Sequence, residues 1–227
     1  MRILFCSVVL TLAAIFGTRA SAADAPKVLF EDKFSGPLEP GWTWIRERPD
    51  AWRFANGALV IDTLPGSYWE KQNNSQNTLV RPAPTSLKDG FIVEVLVDNQ
   101  PKGQYEHAGL ICYFDGFNTI CYNNESVDGK PYICMALEQD GKPVRNPTSP
   151  ESPESPAGAV WLRLIIRGSK VTGQFRSSES DPWQTVDDRT LPTSSKELLV
   201  GIHSGYGLEK PQRQARFRNF RILSAGE

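Results

Sequence analysis

Glu106 and His107 stand side by side at the entry to Ala108-Gly-Leu-Ile-Cys-Tyr113, with Asp115-Gly116 and then Thr119-Ile-Cys-Tyr122 following. A carboxylate beside an imidazole can move a proton near neutral pH or accept hydrogen bonds from hydroxyls. Glu94 and Glu138 lie in the apolar runs on either side, so Glu94, Glu106, His107 and Glu138 are the candidates for acid/base chemistry. Trp69, His107, Tyr113, Tyr122 and His203 are the candidates for holding a sugar. Rings stack on the apolar faces of pyranoses, while carboxylates and amides accept hydroxyl hydrogen bonds. Cleaving a glycosidic bond asks for more, namely two carboxyl groups roughly 5 Å apart for retention or 6.5–9.5 Å for inversion. No compact Glu-x-Asp-x-x-Glu run announces such a pair. Each candidate also has a plain role: Glu94 paired with Arg163 or Arg167, Glu106 and His107 as a solvated strand end, His203 as a turn histidine.

These residues must be positioned by strands, because no long segment has helical periodicity. Short β-branched and aromatic runs are bounded by Gly, Pro, Asn and Asp, the pattern of a sandwich or barrel. Strands are expected at 27–30, 42–46, 58–62, 91–97, 198–203 and 215–223, with a hairpin over 160–167 and 170–176 turning at Gly168-Ser169. The residues from 215 to 223 break simple alternation, which points to a bulge. Loops are expected at 66–77, which holds Trp69, and at 141–158. Trp42 and Trp44 alternate with Arg46 toward the core, and Trp161 and Trp183 are expected to be core residues.

Around Asp115-Gly116, a loop of two or of four residues gives the same parity. Leu110, Cys112, Phe114 and Cys121 then share one face. His107, Gly109, Ile111 and Tyr113 share the other with Ile120 and Tyr122. Cys134 would oppose Cys121, aligning the three cysteines as small core residues or as one bridge through Cys121. Glu94, His107, Tyr113, Tyr122 and Glu138 could share one curved polar surface, with Glu106 at its rim.

The first 22 residues have the form of a secretory leader: Arg2, an apolar run from Ile3 to Phe16, and Ala20-Ser-Ala22 for cleavage. The apolar run is too short to span a bilayer comfortably. The expected organisation is a signal peptide at 1–22 and a single domain at 23–227, secreted or periplasmic. Residues 1–22 hold two Arg and no acid, which leaves 23 basic against 26 acidic side chains, a net charge of −3. That balance gives no reason to expect nucleic acid as partner. No metal-ligand spacing is present, a lone Asp32 is a poor calcium site, and no cofactor is expected.

Phe30-Glu-Asp-Lys-Phe34, Trp42-Thr-Trp-Ile-Arg-Glu-Arg-Pro49 with Trp52, Asn77-Thr-Leu-Val80, Glu106-His-Ala-Gly-Leu110, Trp161-Leu-Arg163 with Trp183, and Phe217 to Ile222 together carry a resemblance. The chain resembles the concanavalin A-like lectin/glucanase superfamily, and within it the C-terminal domain of family 43 β-xylosidases and related stand-alone domains. The resemblance implies an all-β fold, a two-sheet antiparallel jelly-roll sandwich, and a link to carbohydrate. It supplies no catalytic residues, since the xylosidases carry theirs on a separate propeller domain and the glucanase strand motif is missing here. The functional expectation is a carbohydrate-binding sandwich accessory to polysaccharide recognition or degradation. A glycoside hydrolase or lyase, and a structural or protein-interaction domain, are the alternatives.

Overall fold

A computed structural model describes residues 26–84, 90–144 and 151–226, so the leader expected at 1–22 lies outside the described residues. Fifteen strands follow one another: β1 (Val28–Asp32), β2 (Thr43–Ile45), β3 (Trp52–Ala55), β4 (Ala58–Asp62), β5 (Thr78–Pro82), β6 (Phe91–Asp98), β7 (His107–Asp115), β8 (Asn118–Val127), β9 (Lys130–Gln139), β10 (Lys142–Pro143), β11 (Val160–Arg167), β12 (Lys170–Arg176), β13 (Gln184–Thr190), β14 (Leu199–Gly205) and β15 (Gln214–Ser224). They form two antiparallel sheets, a jelly-roll β-sandwich. The first runs β13-β12-β11-β6-β15-β4-β3, with β1 also on β15, and the second runs β10-β9-β8-β7-β14-β5-β2. Among the described residues no helix is long and apolar enough to cross a membrane.

Period-two alternation builds the core. Phe91, Val93, Val95 and Val97 of β6 face Leu110, Ile120, Ile133 and Ile202 of the second sheet across a single apolar cluster. Phe30, Trp42 and Phe220 pack edge to face at one end with Phe34 tilted against them, and the Trp42 and Phe220 centroids are 4.8 Å apart. Asp32 locks the chain leaving β1: Oδ1 accepts the Phe34 N–H, and Oδ2 accepts the Glu39 N–H and the Trp42 indole N–H. Three donors occupy its carboxylate, which accounts for this aspartate without a metal.

The bulge expected in the last strand is present between Arg218 and Arg221, at Asn219 with φ +51°. A second bulge was not expected. Between Tyr113 and Asp115 the β7–β8 register slips by one residue, pairing Ile111 with Cys121 and Cys112 with Ile120. This corrects the expected parity. Cys121 shares the outer face with Ile111 and Tyr113, while Ile120 and Tyr122 point between the sheets. Tyr122 fits there because Gly173 of β12 has no side chain; a Cβ at Gly173 would press on the Tyr122 ring. Cys134 opposes Asn123, not Cys121, and Cys112, Cys121 and Cys134 are all free thiols.

Candidate functional site

Glu94 does not join the other candidates. It lies on β6 of the first sheet, 1 % exposed, clamped by Arg163 of β11 and Arg221 of β15. Trp161 and Trp183 belong to the same outer surface and not to the core, and guanidinium groups stack on their rings. Tyr122 is also withdrawn from any sugar site, since it is fully buried between the sheets. The remaining candidates gather on the outer face of the second sheet.

There the rings form a continuous ladder. Tyr113 of β7 lies 5.7 Å from Tyr68, Tyr68 lies 6.2 Å from His203 of β14, and His203 lies 5.0 Å from His107 of β7. Tyr206 continues the series at 5.8 Å, and Tyr105 ends it at 5.9 Å. Register explains the line. Gly109 separates His203 on one side from Asn123 on the other, so no side chain stands between them, and any Cβ there would press on Asn123. One half of the ladder is covered and the other is open: Tyr68, Tyr113, His107 and His203 are buried, whereas Tyr105 is 47 % exposed.

The cover is the 66–77 loop. Tyr68 plugs into Val80, Ile111, Tyr113 and Cys121, and its hydroxyl meets the Thr78 hydroxyl at 2.9 Å. The Glu70 N–H donates to Glu138, and Arg46 holds the loop through Asn73 and the Ser75 carbonyl. Arg46, Glu70, Lys71, Asn77, Tyr105 and Tyr206 all have positive φ, so more than half of the described non-glycine residues in that conformation rim this one face. Left-handed backbone at such residues is costly and collects where loops are held for a purpose. Trp69 sits half-buried in the loop, its N–H bonded to the Ser67 hydroxyl.

The polar floor is under-satisfied. Both ring nitrogens of His203, Asn123 Oδ1 and Glu138 Oε2 are buried and have no hydrogen-bond partner among the described residues. Buried polar atoms are nearly always partnered, so a row of orphans is suited to hydroxyl-bearing partners. The His107 Nδ1 lies 2.8 Å from the Tyr105 carbonyl, which can only accept, so the proton sits on Nδ1 and Nε2 is left as an acceptor. Burial lowers His107 to about 4, against the smaller opposing effects of that carbonyl and of Glu106, and burial lowers His203 in the same direction. Both imidazoles are therefore neutral. Opposite His107, burial raises Glu125 to about 7, with a Cys134 hydrogen bond opposing it. Burial likewise pushes the Cys112 and Cys134 thiols up to about 12, which leaves them protonated and unreactive.

Glu138 and Glu125, the two carboxyl groups that burial raises, do not form a hydrolytic pair. Glu106 staples its own turn: burial raises it, but Arg213 and the N–H groups of Gly103 and Lys102 prevail and hold it below the usual range. Glu138 pairs across from Thr119 and Glu125 across from His107, six residues apart along β8, which is about 20 Å at strand rise. That far exceeds either hydrolytic separation. Tyr68, Tyr105, Asn123, Glu125 and Tyr206 join this face in addition to the residues expected from sequence. Gly205-Tyr206-Gly207 was the available signal, an aromatic residue between two glycines at the end of a strand.

A jelly roll with a ring-lined, polar outer face places this molecule among the concanavalin A-like domains. The chain belongs to the family of β-xylosidase C-terminal concanavalin A-like domains, whose profile matches residues 31–207. Its fold is similar to that of the GH43 BlXynB protein from Bacillus licheniformis, with a TM-score of 0.72, 20 % identity, and coverage of 86 % of this chain and 39 % of that one. The xylan β-1,4-xylosidase from Bacillus halodurans C-125 gives 0.70 and 20 %, with coverage of 88 % and 41 %. A functionally unknown protein from Saccharomyces cerevisiae gives 0.58 and 18 %, with coverage of 86 % and 97 %. The chain thus spans about two fifths of the two GH43 proteins and nearly all of the yeast one. No curated protein matches the sequence.

Proposed function

We propose that this is an exported carbohydrate-binding sandwich, a single domain over 23–227 that serves polysaccharide recognition or degradation as an accessory. One observation carries the reading: the ladder of rings that surfaces at Tyr105 and Tyr206, with the unpartnered His203 nitrogens and Asn123 Oδ1 next along the same face. Tyr105 and Tyr206 offer faces to a pyranose, the His107 Nε2 accepts a hydroxyl, and Trp69 extends the contact along the covering loop. Family membership supports the choice of polysaccharide, and the leader at 1–22 supports secretion or a periplasmic location. The covered half, around Tyr68 and Tyr113, is what a structural or protein-interaction domain would have; the open half at Tyr105 is not.

A glycan array followed by calorimetric titration tests the reading. Binding to a plant or microbial oligosaccharide is expected, weakened about tenfold in Tyr105→Ala by loss of one stacking face. Absence of binding across the array, with the protein folded, would overturn it.

A further inference from the structure

The outer face of the first sheet has a different chemistry. Its alternation and register bring together Arg53 of β3, Arg163 of β11, Arg176 of β12, and Arg216, Arg218 and Arg221 of β15. Arg167 of β11 and Lys170 of β12 share the face, and its acidic side chains are Glu31, Asp62, Glu94, Asp98 and Asp188. Eight against five is a surplus of +3 on one face of a mature chain whose net charge is −3, which leaves −6 for the remainder. Charge is therefore segregated by sheet face.

The arginines are also held in place. Arg163 and Arg176 lie over the Trp183 ring at 3.8 and 4.3 Å, and Arg176 and Arg221 lie over Trp161 at 5.6 and 5.1 Å. Glu94 bridges Arg163 and Arg221 from below. Stacking fixes the guanidinium groups of Arg163 and Arg176 on neighbouring strands about 4.8 Å apart, and the ion pair holds Arg221 on the far side of β6. Arg216 and Arg218, half-buried, have no ion pair among the described residues, and the Nε atoms of Arg176 and Arg221 have no hydrogen-bond partner.

We infer that this face binds an anionic polysaccharide, a pyranose polymer bearing carboxylate or sulfate groups, at a site separate from the ring ladder. Guanidinium forks match carboxylate and sulfate oxygens in pairs. A flat, pre-set row of them suits an extended chain with anions repeated along it. Nucleic acid is the poorer fit. Trp161 is 3 % exposed and both indoles are covered by guanidinium groups, so no ring is open for base stacking. A flat sheet face also offers no helix or ribbon to enter a groove.

Titrations at low and at physiological salt, with polygalacturonate, dextran sulfate, neutral dextran and a single-stranded oligonucleotide, test the inference. Binding to polygalacturonate or dextran sulfate is expected, none to dextran, and weakening as salt rises. Whichever anionic polymer binds more tightly identifies carboxylate or sulfate as the anion read. The double variant R216Q/R218Q, at half-exposed unpaired positions, should bind about tenfold more weakly. K130Q/K142Q, the same change of charge on the second sheet, should stay within about twofold, and Tyr105→Ala should leave this binding unchanged. No binding to either anionic polymer, equal affinities for the two double variants, or tighter binding of the oligonucleotide would each overturn it.

Discussion

At the residue scale, burial of ionisable side chains outweighs their hydrogen bonds. His107 and His203 are held neutral below their unfolded range, so the unfolded chain takes up protons that the folded one refuses. Stability is therefore lost as pH falls from about 6.5 toward 4, by about 1.4 kcal/mol per pH unit for each histidine. His107→Gln should remove one proton of that slope in urea titrations across the window; an unchanged slope would refute the assignment. Glu125 works in the opposite sense. Its folded carboxyl is raised to about 7, so it remains protonated where the unfolded one ionises, and stability is lost as pH rises from 4.5 through 7. Glu125→Gln should thus gain in melting temperature over the parent at pH 8 but not at pH 5, and parallel melting curves would sink the idea. Glu94 is legible either way: its pairing with Arg163 could be read from strand parity, and removing it in Glu94→Ala leaves two guanidiniums without their counter-charge, at about 3 kcal/mol.

At the scale of elements, the central strands were readable and the site was not. Ala58–Asp62, Phe91–Asp98 and the 160–176 hairpin have the alternation, β-branching and turn residues that specify them, and they lie where expected. The face of the β7–β8 hairpin was misassigned because one unpaired residue, Phe114, inverts the parity upstream of it. No residue near Asp115-Gly116 marks such a bulge, since the turn is equally compatible with neighbouring registers. Trp161 and Trp183 were misplaced for a related reason: a tryptophan covered by an arginine has the same hydropathy as one in a core. The 66–77 loop was legible as a loop, but its docking onto the sheet depends on long-range contacts from Arg46 and Glu138. Gly66, at φ +124°, anchors it, and a Cβ there would meet the Asn74 carbonyl. Gly66→Ala should cost about 1–3 kcal/mol and expose the loop to limited proteolysis while the sheets persist. Protection equal to the parent would show that the loop is held elsewhere.

At the scale of the whole molecule, β15 and β14 are the interior strands that join each sheet's halves, and both come late in the chain. β15 pairs with β6 on one edge and with β4 and β1 on the other, while β14 lies between β7 and β5. A chain ending at residue 213 should fail to give a cooperative thermal transition; a cooperative one would mean the first sheet closes without its seam. The consequence is one of timing. As the polypeptide emerges from the ribosome, neither sheet can be zipped until residues 199–224 have been made, so early hairpins wait as unjoined fragments. Such long-range closure folds slowly. A secreted precursor would gain from that delay, because a chain that cannot knit itself prematurely stays threadable through a translocation channel.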